Sequence, residues 1–220
     1  MAVITISREA GSGGDEIAQS VAKTLAYRLV DKHFLEHVLG QYGLIEFDQE
    51  YDSMPTFWEK FDAHKADRRE QMVKLINQAV SATAQIGNVV ILGRSGFLVL
   101  GDCADVLNVR IQAPAAFRVA RMAEQLAGQP DAAAAAVAES DRVRAEFIET
   151  FYGATWHDAA AFDLIINTAK IPPGLAVRWL VDGARALDAA DLSGRMTTAA
   201  LQVDNVMRSA VAQQLARAYT

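Results

Sequence analysis

Five short apolar runs, each followed by a turn and then by apolar residues at helical spacing, constrain this chain more than any other feature of it. The runs are Val3-Ile4-Thr5-Ile6, Tyr27-Arg28-Leu29-Val30-Asp31, Val89-Val90-Ile91-Leu92, Val106 to Ile111 and Phe162 to Asn167. They are too short for buried helices and most are rich in β-branched residues, so they read as buried strands. Ile17, Val21, Ala22 and Leu25 recur at helical spacing after the first run, and Lys32 to Leu39 starts a helix after the second. Phe57 to Ile86 reads as one long helix or two in tandem. Pro114 suits the first residue of another, broken by Gly128-Gln129-Pro130, and Ala132 opens one more to about Tyr152. Pro172-Pro173 precede a last one through Leu187. Strands that alternate with helices imply an α/β fold of three layers, a parallel sheet with helices on both faces. Ligands of such sheets gather beyond the carboxyl ends of the strands. That rule singles out the Gly11–Gly14 turn, Asp31-Lys32, Gly93-Arg94 and Asn167-Thr168.

The first of these turns joins a strand to a helix through Ala10-Gly11-Ser12-Gly13-Gly14, an arrangement in which backbone amides and a helix N-terminus converge on an anion. The standard phosphate loop is G-x-x-x-x-G-K-[ST]. Here Arg8 stands at the first glycine, Gly14 at the lysine and Asp15 at the hydroxyl. A lost cation and a gained carboxylate each weigh about 4 kcal/mol at about 4 Å and an effective dielectric near 20. A metal or another cation must compensate if phosphate binds. The plain alternative is that Asp15 favours the helix N-terminus and the turn only connects two elements.

Size and charge narrow the remaining classes. The 220 residues, 51% hydrophobic and 22% charged, suit one large domain with ample core. A net charge of −6 argues against a general nucleic-acid partner and is neutral towards small phosphorylated ligands. A single cysteine, Cys103, allows no intrachain disulfide and suits a reducing compartment. The first residues read as a strand and not as a signal peptide, so no leader is expected, and no apolar run comes near the about 20 residues that span a bilayer. A cytoplasmic protein without membrane partners is expected. His33, His37, His64 and His157 lack metal-ligand spacing, and Phe57, Trp58 and Phe61 read as packing residues. Glu46 to Ser53 reads as an acidic surface loop. The tail after Ser193 reads as an amphipathic helix with Val206, Val211 and Leu215 on its apolar side, able to cover the sheet or to pair two chains as a homodimer.

Taken in order, I-T-I-S-R-E-A-G-S-G-G (Ile4 to Gly14), V-D-K (Val30 to Lys32), I-L-G-R (Ile91 to Arg94), S-D-R-V-R (Ser140 to Arg144) and F-D-L-I-I-N-T (Phe162 to Thr168) resemble the cytidylate kinase-like family of P-loop nucleoside monophosphate kinases. The resemblance implies a P-loop NTPase-like domain over residues 1–190 with a five-stranded parallel sheet, a helical monophosphate-binding region near 32–87, a lid near 114–152 and a helical extension at 193–220. It implies phosphoryl transfer from ATP, with Mg²⁺, to a nucleoside monophosphate, CMP or dCMP above all. Gly11, Ser12 and Gly13 match the family's phosphate cradle, with Arg8 and Gly14 beside them as phosphate-binding candidates. Arg8, Lys32 and the lid arginines would have to supply what a loop lysine normally gives. Asp31, Lys32, Arg94, Asp141 and Arg144 fall on the acceptor side, Arg94 as the grip on its phosphate and Asp141 with Arg144 as a cytosine-reading pair. Arg118 and Arg121 correspond to lid arginines that meet the transferred phosphate, and Asp15 is the candidate Mg²⁺ ligand in place of the missing hydroxyl.

Each role has a plain rival. Asp141 and Arg144, three apart, could form an ordinary surface pair worth about 0.3 kcal/mol, and Arg118 and Arg121 could solvate a helix face. The departures at Gly14 and Asp15, with Lys32 and His37 where an acceptor-side serine and arginine are typical, leave a second function open: a non-catalytic nucleotide- or anion-binding protein on the kinase fold.

Overall fold

The computed structural model describes residues 1–40, 63–126 and 128–218, with the backbone alone over 63–69. In chain order the elements are β1 (Val3–Arg8), α1 (Gly14–Leu25), β2 (Arg28–Val30), α2 (Lys32–Gly40), α3 (Ala63–Ile86), β3 (Val89–Leu92), α4 (Gly96–Val99) and β4 (Val106–Gln112). They continue as α5 (Ala115–Gln125), α6 (Pro130–Tyr152), β5 (Leu164–Asn167), α7 (Pro173–Ala189) and α8 (Asn205–Ala218), with single 3-10 turns at Ala159–Ala161 and Thr198–Ala200. All pairings are parallel, in the order β2-β3-β1-β4-β5. This is the three-layer P-loop fold that the alternating pattern and the resemblance predict.

β3 is apolar throughout because both faces of the sheet are covered there, whereas β1 and β4 also bury Thr5, Asn108 and Arg110. Along β3, Val89 and Ile91 join one core cluster while Val90 and Leu92 join the other. The first cluster packs the sheet against α2, α3 and α8, the second against α1 and α7. A third cluster holds Val73, Phe97, Phe147, Ile148 and Trp156, joining α3, α4 and α6 to the segment before β5. One polar pair crosses the sheet interior at its β1–β4 register, where Thr5 Oγ1 donates to Asn108 Oδ1 at 2.6 Å.

Several boundaries differ from the sequence reading for local reasons. Residues 63–86 form a single helix, while Glu46 to Ser53 and the aromatics Phe57, Trp58 and Phe61 lie outside the described residues. Pro114 is the N-cap of α5 and not its first residue. The tail helix covers its own chain. Met207, Ala210, Val211 and Leu215 are buried in the cluster with α2 and α3. Val206 is 64% exposed, against expectation, because Asp204 Oδ1 accepts the amides of Val206 and Met207 and Met207 takes the inward place in the first turn. The apolar face offered for pairing two chains is thus spent within one. No helix among the described residues is long and apolar enough to cross a membrane.

Candidate functional site

The glycine turn follows β1, the middle strand, and faces the ends of its two neighbours. Gly11 and Gly13 adopt left-handed φ values of 76° and 79°, which favour glycine. A Cβ on Gly11 would also lie 2.5 Å from the Arg118 carbonyl oxygen, so α5 closes directly over the turn. Ser12 is fully buried and holds the turn shut on its inner side: its amide and its hydroxyl both donate to Glu9 O, at 3.2 and 2.7 Å. Its carbonyl accepts Thr168 Oγ1 at 2.7 Å, tying the end of β5 to the turn. Ser12 thus contributes shape, and its amide is not one of the open donors. The first intrahelical bond of α1 runs from Ile17 N to Gly13 O, so the amides of Gly14, Asp15 and Glu16 precede the helical ladder and face outward from its N-terminus. An anion seated there meets those amides and the positive end of the helix.

Arginines surround this turn. Arg8 Nε and Nη2 donate to Asp15 Oδ1 at 3.2 and 3.1 Å. Arg121 Nη2 donates to Glu16 Oε1 at 2.8 Å, and its guanidinium lies against Gly13. Arg118 behaves otherwise. It is 5% exposed and bonds Asp141 through both terminal nitrogens, at 3.2 and 2.7 Å, while Nε donates to Ala113 O and lies 3.2 Å from Glu9 Oε2. The plain rivals fail for Arg118, which does not solvate a helix face, and for Asp141, which turns to Arg118, 23 positions away. Arg121, one-third exposed, keeps a surface pairing with Glu16.

Glu9, absent from the sequence-based site, is the centre of this arrangement. Its Oε1 accepts from Arg110 Nη2 at 3.2 Å and its Oε2 from the Ala113 amide at 3.1 Å. Arg110, on β4 and 1% exposed, also donates to Trp156 O at 2.8 Å and to His157 Nδ1 at 3.0 Å, and lies over the Trp156 ring at 4.4 Å. Burial pulls its guanidinium below the ordinary value, and Glu9 opposes that shift. Two guanidiniums against Glu9 and Asp141 make a neutral, saturated cluster that fastens turn, β4, α5 and α6 together. His157 serves structure, and among the described residues no group of acidic, histidine and cysteine side chains could hold a metal by itself.

Beside the turn lies a cavity of about 140 Å³ at the carboxyl ends of β1 and β3. Lys32, Arg8, Arg94 and Arg144 line it, with Phe97, Phe147, Ile148 and Trp156 as its apolar wall. Arg94 is 8% exposed, and Arg94 and Ser95 follow Gly93 in three successive left-handed conformations, φ 75°, 54° and 53°. Non-glycine residues take that conformation at a cost of about 1–2 kcal/mol each. Strain of this kind concentrates at functional sites. Glu36 lies 3.5 Å from both Lys32 Nζ and Arg94 Nη2 and spaces the two cations. Arg144 Nη1 bonds the carbonyl and hydroxyl of Ser140 one turn earlier. Asp31 and Asp141 are not among the lining residues: Asp31 Oδ1 caps α2 by accepting Phe34 N at 3.0 Å.

The model of the cytidylate kinase-like family matches residues 3–170. The chain belongs to this family. A cytidylate kinase of Pyrococcus horikoshii is 31% identical over 172 residues, 78% of this chain and 82% of that protein. One from Halobacterium salinarum is 27% identical over 188 residues, 85% and 91% of the two chains. Among solved structures, an uncharacterized protein from Eubacterium ventriosum superposes with a TM-score of 0.62 at 19% identity, over 84% of this chain and 99% of that one, which agrees in fold. Membership in the cytidylate kinase-like family supports a nucleotide kinase-type phosphotransferase.

Proposed function

We propose that this chain transfers the γ-phosphoryl group of ATP to a nucleoside monophosphate. The observation that carries the reading is adjacency: the glycine turn and the cation-lined cavity meet at Arg8, which pairs with Asp15 at the turn and lines the cavity with Lys32, Arg94 and Arg144. In the reaction an oxygen of the acceptor phosphate attacks the γ-phosphorus. The bond to the β–γ bridging oxygen breaks, and that oxygen leaves on ADP with the electron pair. Catalysis of this kind is positioning and charge stabilisation more than covalent chemistry. The amides of Gly14, Asp15 and Glu16 suit the donor phosphates, and Arg121 suits their outer side. Arg94, held by a strained turn and offering a planar fork, suits the acceptor phosphate. The apolar wall of Phe97, Phe147 and Trp156 suits the acceptor base.

Mg²⁺ fits the site in its usual manner, through one carboxylate and the substrate phosphates. Asp15, at the head of α1 and half exposed, would be that carboxylate, and the ion would neutralise phosphate charge there. CMP and dCMP are the first acceptors to test, since the relatives named above are cytidylate kinases. With Asp141 engaged by Arg118, contact with the base falls to Arg144 and the cavity wall. A second reading, nucleotide binding without turnover, is favoured by one observation: the Arg8–Asp15 pair offsets the charge of the cation nearest the turn. The deciding experiment follows ADP release from ATP and Mg²⁺ with CMP, dCMP, UMP or AMP. Release that requires one monophosphate supports phosphotransfer. Binding of ATP with no release on any acceptor supports the second reading.

A further inference from the structure

The standard phosphate loop has glycine where this chain has Arg8 and lysine where it has Gly14. The two departures are one event in space. A Cβ placed on Gly14 would lie 2.5 Å from Arg8 Cβ and 2.9 Å from Arg8 Cγ, with Ile111 Cβ behind it at 3.3 Å. The near atoms belong to the root of the arginine side chain, which cannot swing away, so a side chain at 14 and an arginine at 8 exclude each other. From its root Arg8 runs along the turn. Nε and Nη2 reach Asp15 Oδ1, and Nη1 passes over Gly93, where an added Cβ would approach it to 2.5 Å. Arg8 therefore spans the gap between the donor turn and the acceptor cavity, in whose lining it takes part. Among the described residues its hydrogen bonds are the two to Asp15, which use two of the five N–H donors of a guanidinium.

We infer that Arg8 has taken over the phosphate-binding role of the missing loop lysine, its guanidinium entering from β1 the space that a lysine at position 14 would enter from α1. The inference rests on the phosphotransfer reading above. It adds that Asp15 orients this cation across the turn, that Gly14 is small in order to admit it, and that Arg8 contacts the donor phosphates directly.

Calorimetric titration with ATP in the absence of Mg²⁺ tests it, with tripolyphosphate as a base-free probe and the unliganded melting temperature as the check on folding. Arg8→Gln keeps most of the stem and removes the charge; it should weaken both ligands about 10- to 100-fold, the worth of a charge-assisted hydrogen-bonded contact. Arg8→Gln/Asp15→Asn removes the pair together and should stay as weak. Arg8→Gly/Gly14→Lys rebuilds the standard pattern and should return to within about threefold of the unmodified chain, while Gly14→Lys alone, with Arg8 in place, should not. Binding by Arg8→Gln/Asp15→Asn equal to that of the unmodified protein would reduce Arg8 to a counter-ion of Asp15 and overturn the inference. If the unmodified protein binds ATP and Arg8→Gln binds it equally, only the inference falls. If the unmodified protein binds neither probe, the phosphotransfer reading falls with it.

Discussion

Two sets of arginines border the same glycine turn and its cavity, and they differ in what their guanidiniums bond. Arg110 and Arg118 are 1% and 5% exposed, and acids and carbonyls surround them on every side: Glu9, Asp141, Ala10 O, Ala113 O and Trp156 O. Arg8, Arg94 and Arg121 border the turn or its cavity: Arg8 pairs with Asp15, Arg121 with Glu16, and the buried Arg94 has Glu36 among its partners. A guanidinium whose donors are spent on the fold holds elements together, whereas Arg8 and Arg121, each bonded to one acid among the described residues, have donors to give a phosphate. The difference lies in the surroundings, since the residue type is the same.

The strongest way to break this contrast is to remove the acid that the inner pair shares. Glu9→Gln leaves two buried guanidiniums with one carboxylate, and breaking a buried ion pair from one side costs about 3–5 kcal/mol. For a chain of this size that corresponds to a fall in melting temperature of roughly 10 °C or more. A fall under about 2 °C in a thermal scan would mean that water or rearrangement replaces the carboxylate, and the inner set would lose its structural meaning.

The outer set should respond in activity and not in stability. Arg94→Lys keeps the charge beside Glu36 but loses the planar fork, so acceptor-dependent kcat/KM should fall about 10- to 100-fold. The melting temperature should move by no more than about 3 °C, the shift expected from about 1 kcal/mol. The reverse pattern, a large loss of stability with ordinary turnover, would move Arg94 into the inner set.

How far these sets were legible in the sequence follows from what each depends on. The strands were legible because Val3-Ile4-Thr5-Ile6 and Val89 to Leu92 are local patterns, and the carboxyl-end rule then placed Gly11–Gly14 and Gly93-Arg94 at one edge. Glu9 was not, because an acid after a strand shows its burial only when Arg110 and Arg118 arrive from 101 and 109 positions away. Arg110 left one faint signal, a cation in the middle of the apolar run V-L-N-V-R-I-Q. Trp156 lies in an irregular segment where periodicity says nothing. Spacing put Arg118 and Arg121 on one face of a helix, as it must. It could not say that the face lies on the glycine turn, with Arg118 buried against it and Arg121 at its rim.

That pair offers a sharper test within a single helix. Arg121→Ala removes an ion pair that is one-third exposed on one side and half exposed on the other, worth about 0–1 kcal/mol. Its melting temperature should therefore be nearly unchanged, while the Kd for ATP rises about three- to tenfold. Arg118→Ala should instead resemble Glu9→Gln in a urea unfolding curve. Equal behaviour of the two variants, in either measurement, would erase the distinction between rim and interior.

The smallest effect serves as a control far from both sets. At the opposite end of the sheet Asp188 accepts from Tyr27 Oη at 2.8 Å and from the Ala2 amide, and pairs with the amino terminus at 3.0 Å. Burial pushes its carboxyl up, but the amino terminus, the Tyr27 hydroxyl and the Ala2 amide outweigh it and hold the group below its ordinary value of 3.8. Burial and the neighbouring Asp188 push the Tyr27 phenol the other way, up to about 12 from 10.0. A carboxyl depressed in the folded state stabilises the fold above the unfolded value and ceases to do so as pH falls through the folded one. A raised phenol stabilises it below pH 10 and ceases to do so as pH climbs towards about 12. Asp188→Asn should therefore flatten the melting-temperature profile on both limbs, below about pH 4 and above about pH 10, by only a few degrees. Its ATP affinity at neutral pH should equal that of the unmodified chain, because no side chain of the turn or the cavity bonds to this cluster among the described residues. An affinity change in Asp188→Asn would show that the two ends of the sheet are coupled, and losses of binding at the turn could then no longer be assigned to the arginines beside it alone.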